Sequence, residues 1–92
     1  MENWFVYILL CKDMSLYTGI TKNVEQRMTA HKSGNGSKYV ARRGFSKLLH
    51  TISCKDRTEA AKLEYRIKQL PRNSKIQFFM NHPNRCTEQT RA

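Results

Sequence analysis

Tyr7, Tyr17, Arg27, His31 and Glu64 are the residues of this chain whose types and spacing could cut a phosphodiester. That hydrolysis needs a deprotonated water, charge compensation for a phosphorane-like transition state, and stabilisation of the leaving oxygen. A phenol, with an ordinary pKa of about 10, serves as base only where cations stand close. An arginine binds the non-bridging oxygens, and one carboxylate can hold a hydrated Mg²⁺ as Lewis acid on the leaving side. The set works only if several elements of the fold bring it to one place.

Tyr7 and Tyr17 fall in a β-hairpin. Trp4 to Cys11 is almost wholly apolar, Ser15 to Ile20 is rich in β-formers, and Lys12-Asp13-Met14 supplies the polar break of a turn. A three-residue loop, a type I turn plus a left-handed residue, sets Cys11 against Ser15, Leu9 against Tyr17 and Tyr7 against Gly19. Both tyrosines then share one face, whereas a four-residue loop would separate them. The opposite face collects Val6, Ile8, Leu10, Leu16, Thr18 and Ile20, enough apolar surface to cover a helix. Gly19 leaves a gap beside Tyr7 where a ligand would approach the backbone. The price of this register is Met14 in the left-handed position, on the order of 1 kcal/mol.

Asn23 followed by Gln26 reads as an N-cap with its capping-box partner, and the spacing of Val24, Met28 and His31 predicts a helix over 24–32. Arg27 and His31 lie on its inward stripe. An inward arginine snorkels, meets a carboxylate or serves a site. His31 taken alone is better explained as a packed, hydrogen-bonded core residue. Ser33-Gly34-Asn35-Gly36-Ser37 is a loop by composition, whose amides, with Lys38, Tyr39, Arg42 and Arg43, could follow a phosphate chain. Lys47 to Ser53 reads as a third strand, with poor alternation and His50 inside it.

Asp56-Arg57-Thr58-Glu59 supplies a second capping box, and Ala60, Leu63, Ile67 and Leu70 mark the buried stripe of a helix ending near Pro71. Glu64 lies within that stripe. An inward carboxylate must meet a cation, either Lys68 one turn on or, at a site, a metal ion or the Arg27 region. Asn73 or Ser74 caps a last helix in which Ile76, Phe79 and Met80 cover the core before His82-Pro83 stops it.

The 92 residues make a single domain over 1–82, followed by a polar tail over 83–92. No apolar run approaches the roughly 20 residues of a membrane span, and the start lacks the basic stretch of a signal peptide, which predicts a cytosolic protein. Cys11, Cys54 and Cys86 are odd in number and far apart, as expected of reduced thiols. Seventeen Lys and Arg against seven Asp and Glu give a formal charge of +10. The excess is concentrated between Lys22 and Lys47, opposed there only by Glu25, and it suits nucleic-acid phosphate.

Taken in order, Phe5-Val6-Tyr7, Tyr17-Thr18-Gly19, Arg27, His31 and Glu64 resemble the GIY-YIG nuclease superfamily, and the segments around them are similar to its small single-domain bacterial branch. The resemblance implies an α+β fold, a small, mostly antiparallel three-stranded sheet flanked by helices. It implies one Mg²⁺ or Mn²⁺ on Glu64, Arg27 on the scissile phosphate, Tyr7 or Tyr17 activating the water while the other holds phosphate, and His31 assisting. Gly19, Lys22, Lys38, Tyr39, Arg42 and Arg43 are the expected nucleic-acid contacts. The implied activity is a metal-dependent endonuclease on DNA, in repair or recombination, with RNA as a second candidate polymer. The alternatives are a binding module with little turnover and a subunit that needs a partner. Three positions depart from the pattern: Phe5 replaces a Gly, Val40 a Thr, and Ile20 stands where repair and restriction relatives carry a catalytic Lys, so that this branch either manages without that cation or borrows Lys22 or Lys38.

Overall fold

A computed structural model describes residues 3–78 in full and 79–81 as backbone. The tail expected over 83–92, the His82-Pro83 stop, Cys86 and the side chains of Phe79 and Met80 lie outside the described residues.

Strand β1 (Trp4–Cys11) turns into β2 (Leu16–Thr21) through the short loop its sequence implies. Cys11 N–H donates to Ser15 O at 2.8 Å, Met14 N–H to Cys11 O at 3.0 Å, and Met14 takes the left-handed φ of 72°. This turn sets the register: Leu9 opposes Tyr17 and Tyr7 opposes Gly19, so both phenols sit on one face. Strand β3 (Phe45–Cys54) pairs antiparallel with the other side of β1, giving a sheet in the order β2-β1-β3.

The poor alternation of the third strand has a structural cause. Register shifts at Ile8/Leu9 and Leu10/Cys11 mark two irregularities in the β1–β3 ladder. An extra residue at a bulge reverses the facing of the residues beyond it. Ile52 and Leu49 thereby reach one face, while Leu48 and Phe45 reach the other.

Helices cover both faces. Helix α1 (Val24–Lys32) is capped by Asn23, whose side chain accepts from Gln26 N–H at 2.9 Å, and it buries Met28 and His31. It is followed by α2 (Lys38–Arg43), a helix not expected from the sequence, which marks Lys38, Tyr39, Arg42 and Arg43 only as phosphate contacts after the 33–37 loop. The signals were local: Ser37 Oγ accepts from Val40 N–H at 3.1 Å, and Gly44 N–H closes the other end on Val40 O at 2.7 Å. With Met28 and Val40, these helices pack on Tyr7, Leu9 and Cys11.

Helix α3 (Arg57–Lys68) covers the other face, where Ala60 and Ile67 close on Val6, Ile8, Ile52 and Cys54. Each large apolar side chain buried this fully stabilises the fold by about 1.5–3 kcal/mol relative to exposure. Asp56 accepts from Glu59 N–H at 2.8 Å as expected, but Glu59 reaches back to Lys55 N–H at 2.8 Å, one residue before the cap. The last helix, α4 (Arg72–Asn81), begins earlier than Asn73 or Ser74 would allow as caps, with Lys75 N–H on Pro71 O, and it brings Phe78 to the core. Cys11 and Cys54 are buried and not joined in a disulfide. No helix among the described residues is long and apolar enough to cross a membrane.

Candidate active site

Tyr7 stands on the central strand and is 2% exposed. Its ring lies across Gly19: a Cβ there would come within 2.6 Å of the hydroxyl and 2.8 Å of Cζ. The gap expected to admit a ligand is therefore filled by Tyr7 itself, and the ring is what requires the glycine. Tyr17 is half-buried beside it, ring centroids 6.3 Å apart. From α1, His31 completes the group, its Nε2 lying 2.9 Å from Tyr7 Oη and its ring 5.6 Å from that of Tyr17.

His31 is 2% exposed and boxed in on every side. Phe45 stacks on it with ring planes 2° apart. Gly36 closes on the remaining edge, where a Cβ would fall 2.3 Å from Nδ1. Nδ1 itself has no hydrogen-bond partner. In a neutral imidazole one nitrogen donates and the other accepts, so the Tyr7 bond decides which role Nδ1 is left with. Burial holds the histidine below its usual pKa, with Arg27 adding in the same direction.

The phenol moves the other way. Burial first, and then Tyr17, push Tyr7 well above the usual tyrosine range; Arg27 pulls it down and Glu64 pushes it up, both more weakly. The condition for a phenol base, cations close enough to favour its ionisation, is thus not met at Tyr7, because desolvation outweighs the one cation that acts on it.

Arg27 is half-buried, and its Nη1 donates to the Gly36 carbonyl at 3.3 Å. Its guanidinium clasps the loop after α1 while acting on both Tyr7 and His31. Glu64 has a side chain 23% exposed, with Oε2 3.1 Å from Lys68 Nζ, so the helix-surface partner is realised. Although α3 lies on the opposite face, Glu64 remains close enough to act on the Tyr7 phenol. One carboxylate fits Mg²⁺, an ion that keeps several waters and takes its remaining ligands from substrate phosphate. Among the described residues no trio of His, Cys, Asp or Glu converges as a fuller ligand set.

The expected nucleic-acid contacts divide. Gly19 is buried under Tyr7 and presents nothing to a ligand. Lys22 lies over Trp4 at 5.9 Å, with Arg57 at 5.7 Å from the same ring. Lys38 and Arg42 are exposed on α2. Tyr39 joins the aromatic group through Tyr17, centroids 5.6 Å apart, and Arg43 lies 4.5 Å over the Tyr39 ring. Arg43 also pairs with Asp13 at 2.7 Å, and hydrogen bonds from Ser15 and then Arg43 hold that carboxyl at a pKa of about 2. Ile20, at the position of the missing lysine, packs toward the α3-side core.

Three participants escaped the sequence reading: Gly36 and Phe45 against His31, and Asp13 on Arg43. A glycine five residues after an inward histidine is a signal only once the loop is known to fold back. The other two depend on strand register and on a turn meeting a helix.

A family model, the GIY-YIG catalytic domain, matches residues 3–77. The chain belongs to the GIY-YIG family. This is a nuclease-type catalytic domain, and the similar proteins are small, single-domain ones. A UPF0213 protein of Oceanobacillus iheyensis is 48% identical over 75 residues, 82% of this chain and 87% of its own. The solution NMR structure of a UPF0213 protein from Bacillus halodurans is 41% identical with a TM-score of 0.54, covering 96% of this chain and 93% of that one. A second NMR structure, of a protein from E. faecalis, is 40% identical with a TM-score of 0.58, over 85% of this chain and 86% of that one.

Proposed function

We propose that this chain is a divalent-metal-dependent endonuclease hydrolysing phosphodiester bonds in DNA. The observation that carries this is the meeting of Tyr7, Tyr17 and His31, with the charges of Arg27 and of half-buried Glu64 acting on the Tyr7 phenol, in a family of catalytic domains.

Arg27 supplies charge to the non-bridging oxygens, exchanging the Gly36 carbonyl for phosphate. Tyr17, the phenol that solvent reaches, orients the attacking water and takes its proton. Tyr7 and His31 sit behind it as a buried, uncharged couple that fixes its ring. Glu64 would hold a single Mg²⁺ or Mn²⁺, giving up Lys68 to do so. When bound, the ion supplies Lewis-acid stabilisation of the leaving oxygen and a positive charge that favours phenolate.

Purified protein with Mn²⁺ is expected to cut supercoiled, single-stranded or branched DNA, and Glu64→Ala to lose that cutting. Wild-type cutting no greater than that of Glu64→Ala on all three would overturn the reading. One observation favours a binding module with little turnover: Ile20 lies against the core where relatives carry a catalytic cation. That version predicts salt-dependent binding in full and no metal-dependent product.

A further inference from the structure

We propose that Tyr39 and Arg43 form a stacking platform for an unpaired DNA base beside the scissile phosphate, so that the strand taken by this site is single-stranded at the cut. The inference rests on the nuclease reading of the site and names its substrate.

Helix α2 carries Lys38, Tyr39, Arg42 and Arg43 and no acidic residue. Residues four apart share a helix face, so Tyr39 with Arg43 and Lys38 with Arg42 make two adjacent rails. On the first rail the ring and the guanidinium are already stacked, at 4.5 Å. Arg43 is not a spare phosphate ligand, because the Asp13 carboxylate answers its charge at 2.7 Å and holds its plane in place. What this leaves open is the outer side of the Arg43 guanidinium plane, backed by the Tyr39 ring, in the most basic part of the molecule. Tyr39 is 39% exposed, and its other neighbour is Tyr17, one ring away from the Tyr7–His31 couple. The second rail stays exposed for the phosphates that flank the stacked base. Arginine planes and tyrosine rings of this kind take unstacked bases, and inside a duplex every base face is already occupied by its neighbours.

The test uses full-length protein in EDTA, so that no cutting occurs, with single-stranded and duplex oligonucleotides of one sequence carrying 2-aminopurine. Wild type is expected to quench the single strand and to bind it about tenfold tighter than the duplex at equal salt. Tyr39→Ala should lose the quench and about tenfold in single-strand affinity, with duplex binding unchanged. Tyr39→Phe should retain both, while Tyr39→Leu, which keeps bulk without a π face, should behave like Ala. Arg43→Lys, with the charge kept and the plane removed, should fall between. Equal affinity for duplex and single strand, or a Tyr39→Leu variant that still quenches, overturns the platform. If the platform behaves as expected but Mn²⁺ yields no cutting, the nuclease reading fails and the platform stands. Cutting that ignores Tyr39 substitutions does the reverse.

Discussion

Under α3, one face of the sheet closes Val6, Ile8, Ile52, Cys54, Ala60 and Ile67 against one another, with scarcely a polar atom among them. On the other face the same strands bury Tyr7, and α1 drives His31 in beside it. Both faces are sealed, but sealing does different things on each. On the apolar face, removal from water is itself the stabilising event. On the tyrosine face it holds a phenol and an imidazole uncharged, pushing the one above and the other below its usual range. The second face instead encloses a group of titratable side chains that burial keeps neutral. Helix α3 bears on both: Ala60 and Ile67 bind it to the first face, and the Glu64 charge adds a weak upward push on the Tyr7 phenol of the second.

The sharpest way to separate the faces is to damage each and read rate against stability. Arg27→Ala should lower cutting about a hundred- to a thousandfold, as removal of one transition-state charge partner does. Its melting temperature should stay near wild type, because the guanidinium supplies only one long, part-buried hydrogen bond to the Gly36 carbonyl. Ile52→Ala should do the opposite. It opens a cavity among fully buried neighbours, at about 2–5 kcal/mol, while the rate per folded molecule stays intact. A denaturant titration beside a single-turnover rate checks both. A large stability loss in Arg27→Ala, or a rate defect in folded Ile52→Ala, would mean that the faces are not divided in this way.

The two faces were not equally legible. The apolar one followed from alternation in β1 and β2 and from the stripe of α3, since burial of that kind is written in residue type and period. So was the shared face of the tyrosines, once Lys12-Asp13-Met14 was taken as a three-residue turn. What periodicity could not show was which side chain fills which space. Gly19 read as an opening and proved to be the floor under Tyr7. Residues 38–43 carry no element in the sequence because a six-residue helix has too little period to detect, though Ser37 and Gly44 mark its ends. Glu64 needs a cation by its place on the stripe, and that cation is Lys68 one turn on. Partner identity depends on tertiary distances of a few ångströms, and those are not local in the chain.

A finer cut is made at Gly36. A methyl there would meet His31 Nδ1 at 2.3 Å, so either the loop or the imidazole must move. Gly36→Ala is expected to cost about 1–3 kcal/mol and to disturb the tyrosine face selectively. The readout is the Tyr7–His31 contact in NMR spectra, with the signals of Val6 and Ile52 unchanged. Shifts spread evenly over both faces would show that the sheet transmits strain and that the division is only topological.

Acid probes the same histidine without changing the chain. Burial places the folded-state pKa of His31 below its unfolded value, so the unfolded chain takes up the proton first as pH falls. The stability contributed by keeping His31 neutral is whole above the unfolded value of about 6.5 and is lost as pH drops through the folded one. Melting temperature should therefore fall between pH 7.5 and 5.5, and the fall should be smaller in the double variant Tyr7→Phe/His31→Phe, which removes the titrating ring and the hydrogen bond together. Parallel curves for the two proteins would assign the acid sensitivity to other groups.

The smallest effect belongs to an exception on the apolar side. Thr18 is 3% exposed on β2, between Leu16 and Ile20, and its hydroxyl is buried without a partner. An unsatisfied hydroxyl in that position costs roughly 1–3 kcal/mol by mutational measures, although a threonine methyl still packs. Thr18→Val keeps the shape and removes the orphan, so stability should hold or rise by about 1 kcal/mol, a melting shift of roughly 4–8 °C for a domain of this size. The same exchange of hydroxyl for hydrocarbon at Tyr7, by Tyr7→Phe, should destabilise, because it strips His31 Nε2 of its partner and leaves both ring nitrogens bare. Opposite signs at Thr18 and Tyr7 would show that polarity is incidental on one face and required on the other. The same sign at both would erase that distinction.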